Sequence, residues 1–331
     1  MRSTIATGVL RALACLVFAL VRVAPALAAS DYPARPITMI VPFAAGGPTD
    51  IVARIVGEQM SRALGQQIVI ENVVGAGGTT AATRAMRAQP DGYTIVMGNM
   101  GTHAAAAALY PHLAYDPAAD FAPIGLAAGM PIVIIARKDF PAENLREFVH
   151  YLKEHGDTLR MAHAGVGSVS YTTCLMLNAT VGVKPKFIGF QGAAPAMHAL
   201  MAGRVDYMCD QTAAQVPQIN AGTVRAYAVG SAARNRALPM VPTAEEAGLA
   251  GFHASAWNAL FAPKGTPGPI IERLNAALAS ALDDVATRKE LSDLGSEIPD
   301  RDARQAKALA ALVRAETERW LPAIRSATAR E

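Results

Sequence analysis

Two kinds of apolar pattern alternate along the chain. Residues 37–43 form a continuous β-rich apolar run, the pattern of a short strand covered on both faces. The run stops at Ala44-Ala45-Gly46-Gly47, and from Pro48 apolar side chains return at helical spacing, with Ile51, Val52, Ile55 and Val56, as far as Leu64. A proline in the first turn of the new segment favours a helix start there. The unit then repeats: 67–71 reads as a strand, Gly75-Ala76-Gly77-Gly78 as a turn and 79–88 as a helix. A third strand, 93–97, runs into Gly98-Asn99-Met100-Gly101-Thr102-His103. Alternating strands and helices predict a parallel sheet with helices on its faces, because parallel strands need a crossover long enough to hold a helix.

Two strand-like runs, 121–128 and 132–137, then lead to a second set of units. A helix over 144–155 precedes a strand over 158–162, the turn Ala164-Gly165-Val166-Gly167 and a helix over 168–180. Strands over 186–190, 205–209 and 224–230 alternate with helices over 193–202 and 213–220. A β-rich run over 251–263, around Trp257, returns the chain to the first set. Its tail, 267–282, 285–294 and 303–326, carries apolar residues at helical spacing. The pattern predicts two α/β lobes, 29–128 with 254–331 and 129–253, with a cleft at the strand ends where open α/β sheets bind ligands.

With 331 residues, 52% of them hydrophobic and only 17% charged, the chain can bury the cores of two ordinary domains and is not disordered. The net charge of +3 is misleading about partners. Three of the 30 basic residues, Arg2, Arg11 and Arg22, lie in the first 28 positions, which hold no acid, so the remainder carries 27 charges of each sign. An electroneutral body without a basic run offers nothing to nucleic acid or an anionic membrane. Those first 28 residues, with Arg2, an apolar run over 12–21 and the ending Ala26-Leu27-Ala28, predict an export signal cleaved after Ala28. The run is too short to span a bilayer, which takes about 20 apolar residues. The exported body then holds Cys174 and Cys209, which in an oxidising compartment form either one disulfide or two buried thiols.

Candidate chemistry centres on turns rather than on reactive side chains. Phe43, Ala44, Ala45, Gly46, Gly47, Pro48 and Thr49 form a small-residue cradle ahead of a helix whose first N–H groups are unsatisfied, a setting suited to an anion. Gly165, Val166, Gly167 and Ser168 form a similar cradle in the second lobe, with Ser168 as N-cap or ligand donor. His103 and His163 flank strand ends, each either a ligand contact or a packed ring. Asp206 and Asp210 lie four apart on one strand, about 13 Å from each other, too far for paired acid–base work. No zinc-type histidine pair, phosphate loop, nucleophile elbow or complete dinucleotide fingerprint occurs, so neither a metal nor a cofactor is expected. A secreted hydrolase would have to use Ser168 or Asp210 with His163. A receptor that signals through a partner protein is a further alternative.

Several blocks resemble one known family. Val41-Pro42-Phe43-Ala44-Ala45-Gly46-Gly47-Pro48-Thr49-Asp50, Pro90-Asp91-Gly92-Tyr93-Thr94, Gly101-Thr102-His103, Gly192-Ala193-Ala194-Pro195-Ala196 and Phe261-Ala262-Pro263-Lys264-Gly265-Thr266-Pro267 are similar to those of the Bug receptors. These are the extracytoplasmic solute-binding proteins of tripartite tricarboxylate transporters, and the likeness runs in order through most of 30–300. The resemblance implies a two-lobed fold like that of type II periplasmic binding proteins and no catalysis. It implies a monomer in the periplasm that takes a small carboxylate and docks on the membrane components of the transporter. It also implies that the carboxylate is held by the 43–49 and 165–168 loops, by Asn99, Thr102 and His103, and by Asp210. Phe190-Gln191-Gly192 and Met208-Cys209-Asp210-Gln211 depart from the family's usual Tyr-Lys/Arg-Gly and Met-Phe-Asp-Asn.

Overall fold

A computed structural model of the protein describes residues 32–328. Strand β1 (Ile37–Val41) is the buried centre of a parallel set, flanked by β2 (Ile68–Asn72) and β3 (Thr94–Asn99). The helix α1 (Pro48–Leu64) starts at Pro48, as the spacing predicts, and ends where Gly65 turns left-handed at φ 68°. It buries Val52, Val56 and Met60. The Gly75–Gly78 turn leads into α2 (Thr79–Met86). After β3 the chain makes a π-helical turn, Gly101–Ala105, that continues as α3 (Ala106–Leu109). Such wide turns recur at functional sites.

The two runs read as separate strands are one, β4 (Phe121–Arg137), 17 residues long. Pro123, Gly125, Gly129 and Pro131 suggest breaks in sequence. The strand absorbs the first proline at a register shift against β9 (Ser255–Pro263), where an irregular ladder does not need every N–H. The first part of β4 pairs antiparallel with β9. Residues from Ile132 to Arg137 pair instead with β7 (Tyr207–Gln211) and β8 (Val224–Val229). One strand therefore serves both lobes and joins them in a nine-stranded sheet.

The second lobe completes itself with α4 (Leu145–His155), β5 (Arg160–His163), α5 (Val169–Val181), β6 (Lys186–Gly189), α6 (Ala193–Met201) and α7 (Thr212–Asn220). Its strands β6, β5 and β7 run parallel, with β6 at the sheet edge. Cys174 on α5 and Cys209 on β7 are joined as a disulfide, with Cα atoms 5.2 Å apart. The tail forms α8 (Gly268–Asp283), α9 (Val285–Asp293) and α10 (Ala306–Thr328). The last packs on the π turn and β4 and also on α5, so it touches both lobes. The export signal over 1–28 lies outside the described residues. Among the described residues no helix is long and apolar enough to cross a membrane, and no cluster of His, Cys, Asp or Glu is arranged to hold a metal ion.

Candidate functional site

The carboxyl ends of β1, β3, β5 and β7 meet where the lobes face each other. From the first lobe, Gly47 is the N-cap of α1, with no side chain to cap the helix and with Pro48 at its start. Gly46, at φ +79°, turns its N–H toward the Asp50 carboxylate at 2.9 Å. Asp50 is itself held by Arg54 at 2.8 Å and by Asn72 at 2.8 Å. Burial raises its pKa, but Arg54, the Gly46 N–H and Asn72 outweigh burial and hold the carboxyl below its usual range. The loop is thus braced from behind, and the first N–H groups of α1 keep no intrahelical acceptor.

From the second lobe come three more helix starts. Ser168 caps α5, accepting from Tyr171 N at 3.2 Å, while Ser170 Oγ accepts from Ala164 N at 2.9 Å. Helices α6 and α7 begin at Gly192 and Gln211, neither with a side-chain cap. The starts of α1 and α6 oppose each other: a Cβ on Gly47 would lie 3.7 Å from Ala193 Cβ and 3.8 Å from Ala193 N.

The lobes are in contact. Ala44 N donates to Gln191 O at 3.3 Å, and the Tyr110 hydroxyl lies 2.9 Å from Ala76 O and 2.6 Å from Val166 O. A Cβ on Gly77 would run into the carbonyl of Val166, and one on Gly101 would lie 2.7 Å from Gly167 O, so glycine permits this approach at two points. Between them remains a cavity of about 20 Å³, the scale of a single water. It is lined by Phe43, Gly47, Thr49, Asn99, Ser168, Ser170, Ala193, Asp210 and Gln211 among others, and by no Lys or Arg.

A buried amide chain crosses the cavity floor. Asn99 Nδ2 donates to Thr49 Oγ1 at 3.1 Å, Thr49 Oγ1 donates to Asn258 Oδ1 at 2.9 Å, and Asn258 Nδ2 donates to Gln211 Oε1 at 3.0 Å. Asp210, next in sequence to Gln211, accepts from Gln211 N at 2.8 Å and from Gln215 Nε2 at 3.2 Å. Burial pushes its pKa up to about 7, and those two donors only partly oppose the rise. At neutral pH a large share of Asp210 is therefore protonated and able to donate.

Four helix starts around a cavity with no cation, on a two-lobed sheet, match the architecture of known solute receptors. Residues 52–328 match the family described as tripartite tricarboxylate transporter family receptor. The chain belongs to this receptor family. It is similar to the structure of MatC from Rhodopseudomonas palustris with bound malate, at 50% identity and a TM-score of 0.86, over 88% of this chain and 100% of that one. It is similar to the periplasmic binding protein BugD at 42% identity and a TM-score of 0.87, over 90% and 99% of the two chains. A third structure, from R. palustris with adipate, is 31% identical with a TM-score of 0.86, over 90% and 99%. The likeness to Bug receptors read from the sequence blocks is therefore a family relationship, and the two-lobed α/β fold is the family's.

Within this receptor the sequence-predicted residues fall into three groups. Phe43, Gly47, Thr49, Asn99, Ser168 and Asp210 line the cavity. Ala44, Gly165 and Val166 lie where the lobes touch, Gly46 and Gly167 shape the turns through positive φ, and Ala45 lies in the turn between Ala44 and Gly46. Thr102 and His103 sit behind the site. Thr102 and Asn99 exchange hydrogen bonds, Thr102 N to Asn99 Oδ1 at 3.1 Å and Asn99 N to Thr102 Oγ1 at 3.0 Å. His103 is wholly buried, stacked on Phe261 at 4.0 Å between ring centroids and 4.6 Å from Phe121. Burial lowers its pKa to about 3, so the ring is a neutral part of an aromatic core. Asp206, at the far end of β7, is bound to Arg137 at 3.2 Å and to Arg160 N at 2.7 Å. His163 bonds Gly165 N at 3.1 Å and meets Tyr171 and Phe187, so no hydrogen bond joins it to Ser168 or Asp210. Sequence reasoning missed Asn258, Gln211 and Ala193. Gly192-Ala193-Ala194 ahead of a helix is the same small-residue signal as the two recognised turns. Asn258 carries no local signal, standing alone in a hydrophobic run.

Proposed function

We propose that this receptor captures a small dicarboxylate of the malate or adipate class in the periplasm and hands it, chemically unchanged, to the membrane components of a tripartite tricarboxylate transporter. The observation that carries the reading is the convergence of the starts of α1, α5, α6 and α7 on one cavity without a cation. Each exposed helix start favours a negative charge by about 0.3–1 kcal/mol, and partly buried ones favour it more. The anion is held by backbone N–H groups of the 43–49 loop and of Ala193, with Asn99 and protonated Asp210 supplying amide and acid donors. The relatives with malate and adipate support this ligand class.

Capture requires the lobes to part, since about 20 Å³ admits no dicarboxylate, and the bound anion then favours the joined form. The lobes divide as 29–128 with 254–331 and 129–253, hinged where β4 and β9 pass between them. Residues 1–28 act as the export signal, and the receptor works as a monomer. No catalytic role is assigned: a nucleophile needs an adjacent base, and His163 is turned to another face.

A thermal-shift and calorimetric screen of residues 29–331 against malate, succinate, adipate, monocarboxylates and amino acids tests the reading. An acid at 100 times its Kd stabilises by about 2.7 kcal/mol, and mass analysis should recover it unchanged. Absence of a shift with every dicarboxylate, or consumption of the acid, overturns it.

A further inference from the structure

On the outer face of the second lobe, α5 and the edge strand β6 enclose a pocket of about 810 Å³ that shares no residue with the cavity between the lobes. That volume is the size of a site for a drug-sized molecule. Leu175, Ala179, Val183 and Phe187 make its walls largely apolar, Tyr171 and Lys184 also line it, and two buried polar side chains, Asn178 and His163, interrupt the apolar surface. The two are 3% and 4% exposed. The Tyr207 hydroxyl donates to Asn178 Oδ1 at 2.6 Å, which fixes the amide orientation and leaves Nδ2 buried with no acceptor. Gly165 N donates to His163 Nδ1 at 3.1 Å, so the proton of the neutral ring lies on Nε2. Among the described residues no acceptor meets that Nε2. Burial pushes the histidine below its usual pKa, which keeps it neutral at pH 7.

A buried donor without an acceptor, as Asn178 Nδ2 is, is costly, and a protein tolerates one where something else supplies the acceptor. We infer that this pocket is a second ligand site, taking an apolar aromatic or alkyl molecule with a single carbonyl or carboxyl group, whose oxygen accepts from His163 Nε2–H and Asn178 Nδ2–H. The two sites are physically connected: His163 holds Gly165, the first residue of the second cradle, so an occupant that hydrogen-bonds the ring also bears on the cleft loop.

The test uses 2-naphthoate as probe on the exported form of the full chain at pH 7, with and without malate. Saturable binding that malate does not displace is expected, with intermolecular NOEs to the Leu175 and Val183 methyls and a shift of the Gly165 amide. Ala179→Trp, which fills the pocket while removing no hydrogen bond, should weaken 2-naphthoate at least about tenfold with malate affinity unchanged. His163→Phe should weaken 2-naphthoate by about tenfold and leave naphthalene unaffected. The NOEs locate the probe in the unmutated chain, so the result stands whichever acid the cleft takes and whether or not a variant folds. No saturable binding up to about 10 mM, NOEs to cleft residues in place of Leu175, or equal binding by Ala179→Trp would each overturn the inference.

Discussion

The two small-residue turns that face each other across the cleft look interchangeable in sequence and differ in what they have left to give. The second, Gly165 to Ser168, is bonded chiefly within its own lobe: Ser168 takes Tyr171 N, Ser170 takes Ala164 N, His163 takes Gly165 N and Gly165 O takes Ser168 N. Its helix is also tied to β7 through Cys174 and Cys209. The first, Phe43 to Thr49, uses the Gly46 N–H on the Asp50 brace and the Ala44 N–H on Gln191 O of the other lobe, and leaves the start of α1 uncapped opposite the equally uncapped α6. On the proposed function, such a turn serves an anion only where its donors are not already used. Here the first lobe contributes open donors, and the second contributes a rigid wall, the start of α6 and an acid.

The comparison can be broken at its most rigid point first. Replacing both Cys174 and Cys209 by Ala should cost roughly 3 to 4.5 kcal/mol in denaturant unfolding, the value for a loop of this length, while malate affinity changes little. A cost below about 1 kcal/mol would mean that packing alone holds the wall.

A sharper contrast comes from Gly47→Asp. Gly47 has ordinary φ, and a Cβ there meets nothing closer than 3.5 Å, so the new carboxylate fits and takes the place of the ligand between the starts of α1 and α6. Malate affinity in calorimetry should fall at least about 100-fold, about 2.7 kcal/mol, with stability retained or raised. Unchanged affinity would move the anion away from α1.

The acid contributed by the second lobe should appear in the pH profile. Asp210 titrates near 7 in the folded chain against an ordinary 3.8, so between these values the folded state keeps a proton that the unfolded chain has lost. Ligand-free stability from this group is therefore full below about pH 4, falls as pH rises toward 7 and is level above. Malate, meeting a neutral Asp210 below 7, should lose up to about tenfold in affinity per unit above it. Asp210→Asn should flatten the profile, and a profile still sloping in that variant would assign the proton elsewhere.

The smallest effect separates capping from ligand binding directly. Ser168→Ala removes the cap of α5 and should cost about 1 kcal/mol of stability, with malate affinity within about threefold of the parent. If affinity falls as far as in Gly47→Asp, the two turns are equivalent after all.

Most of the fold was legible because its signals are local. The β–turn–α units show in runs of Val and Ile, in glycines after strands and in Pro48 at the start of α1, all within a dozen residues of one another. The single strand β4 was not legible, since Pro123 and Pro131 read as breaks until β9 provides a ladder with a register shift to absorb the first of them. The candidate site divides in the same way. Its turns announce themselves by small residues. His103, also beside a strand end, was assigned to the ligand from the family blocks, yet it stacks on Phe261, a partner contributed by a strand far along the chain.

The sequence by itself determined the family, the alternation of elements and the two turns, because backbone requirements for glycine and helical or strand periodicity are written residue by residue. Only the tertiary structure decided which donors are free, what Asp210 titrates at and how Thr49 reaches Asn258 across 209 positions. Those properties depend on burial and on partners from distant segments, and neither exists until β4 and β9 have brought the lobes together.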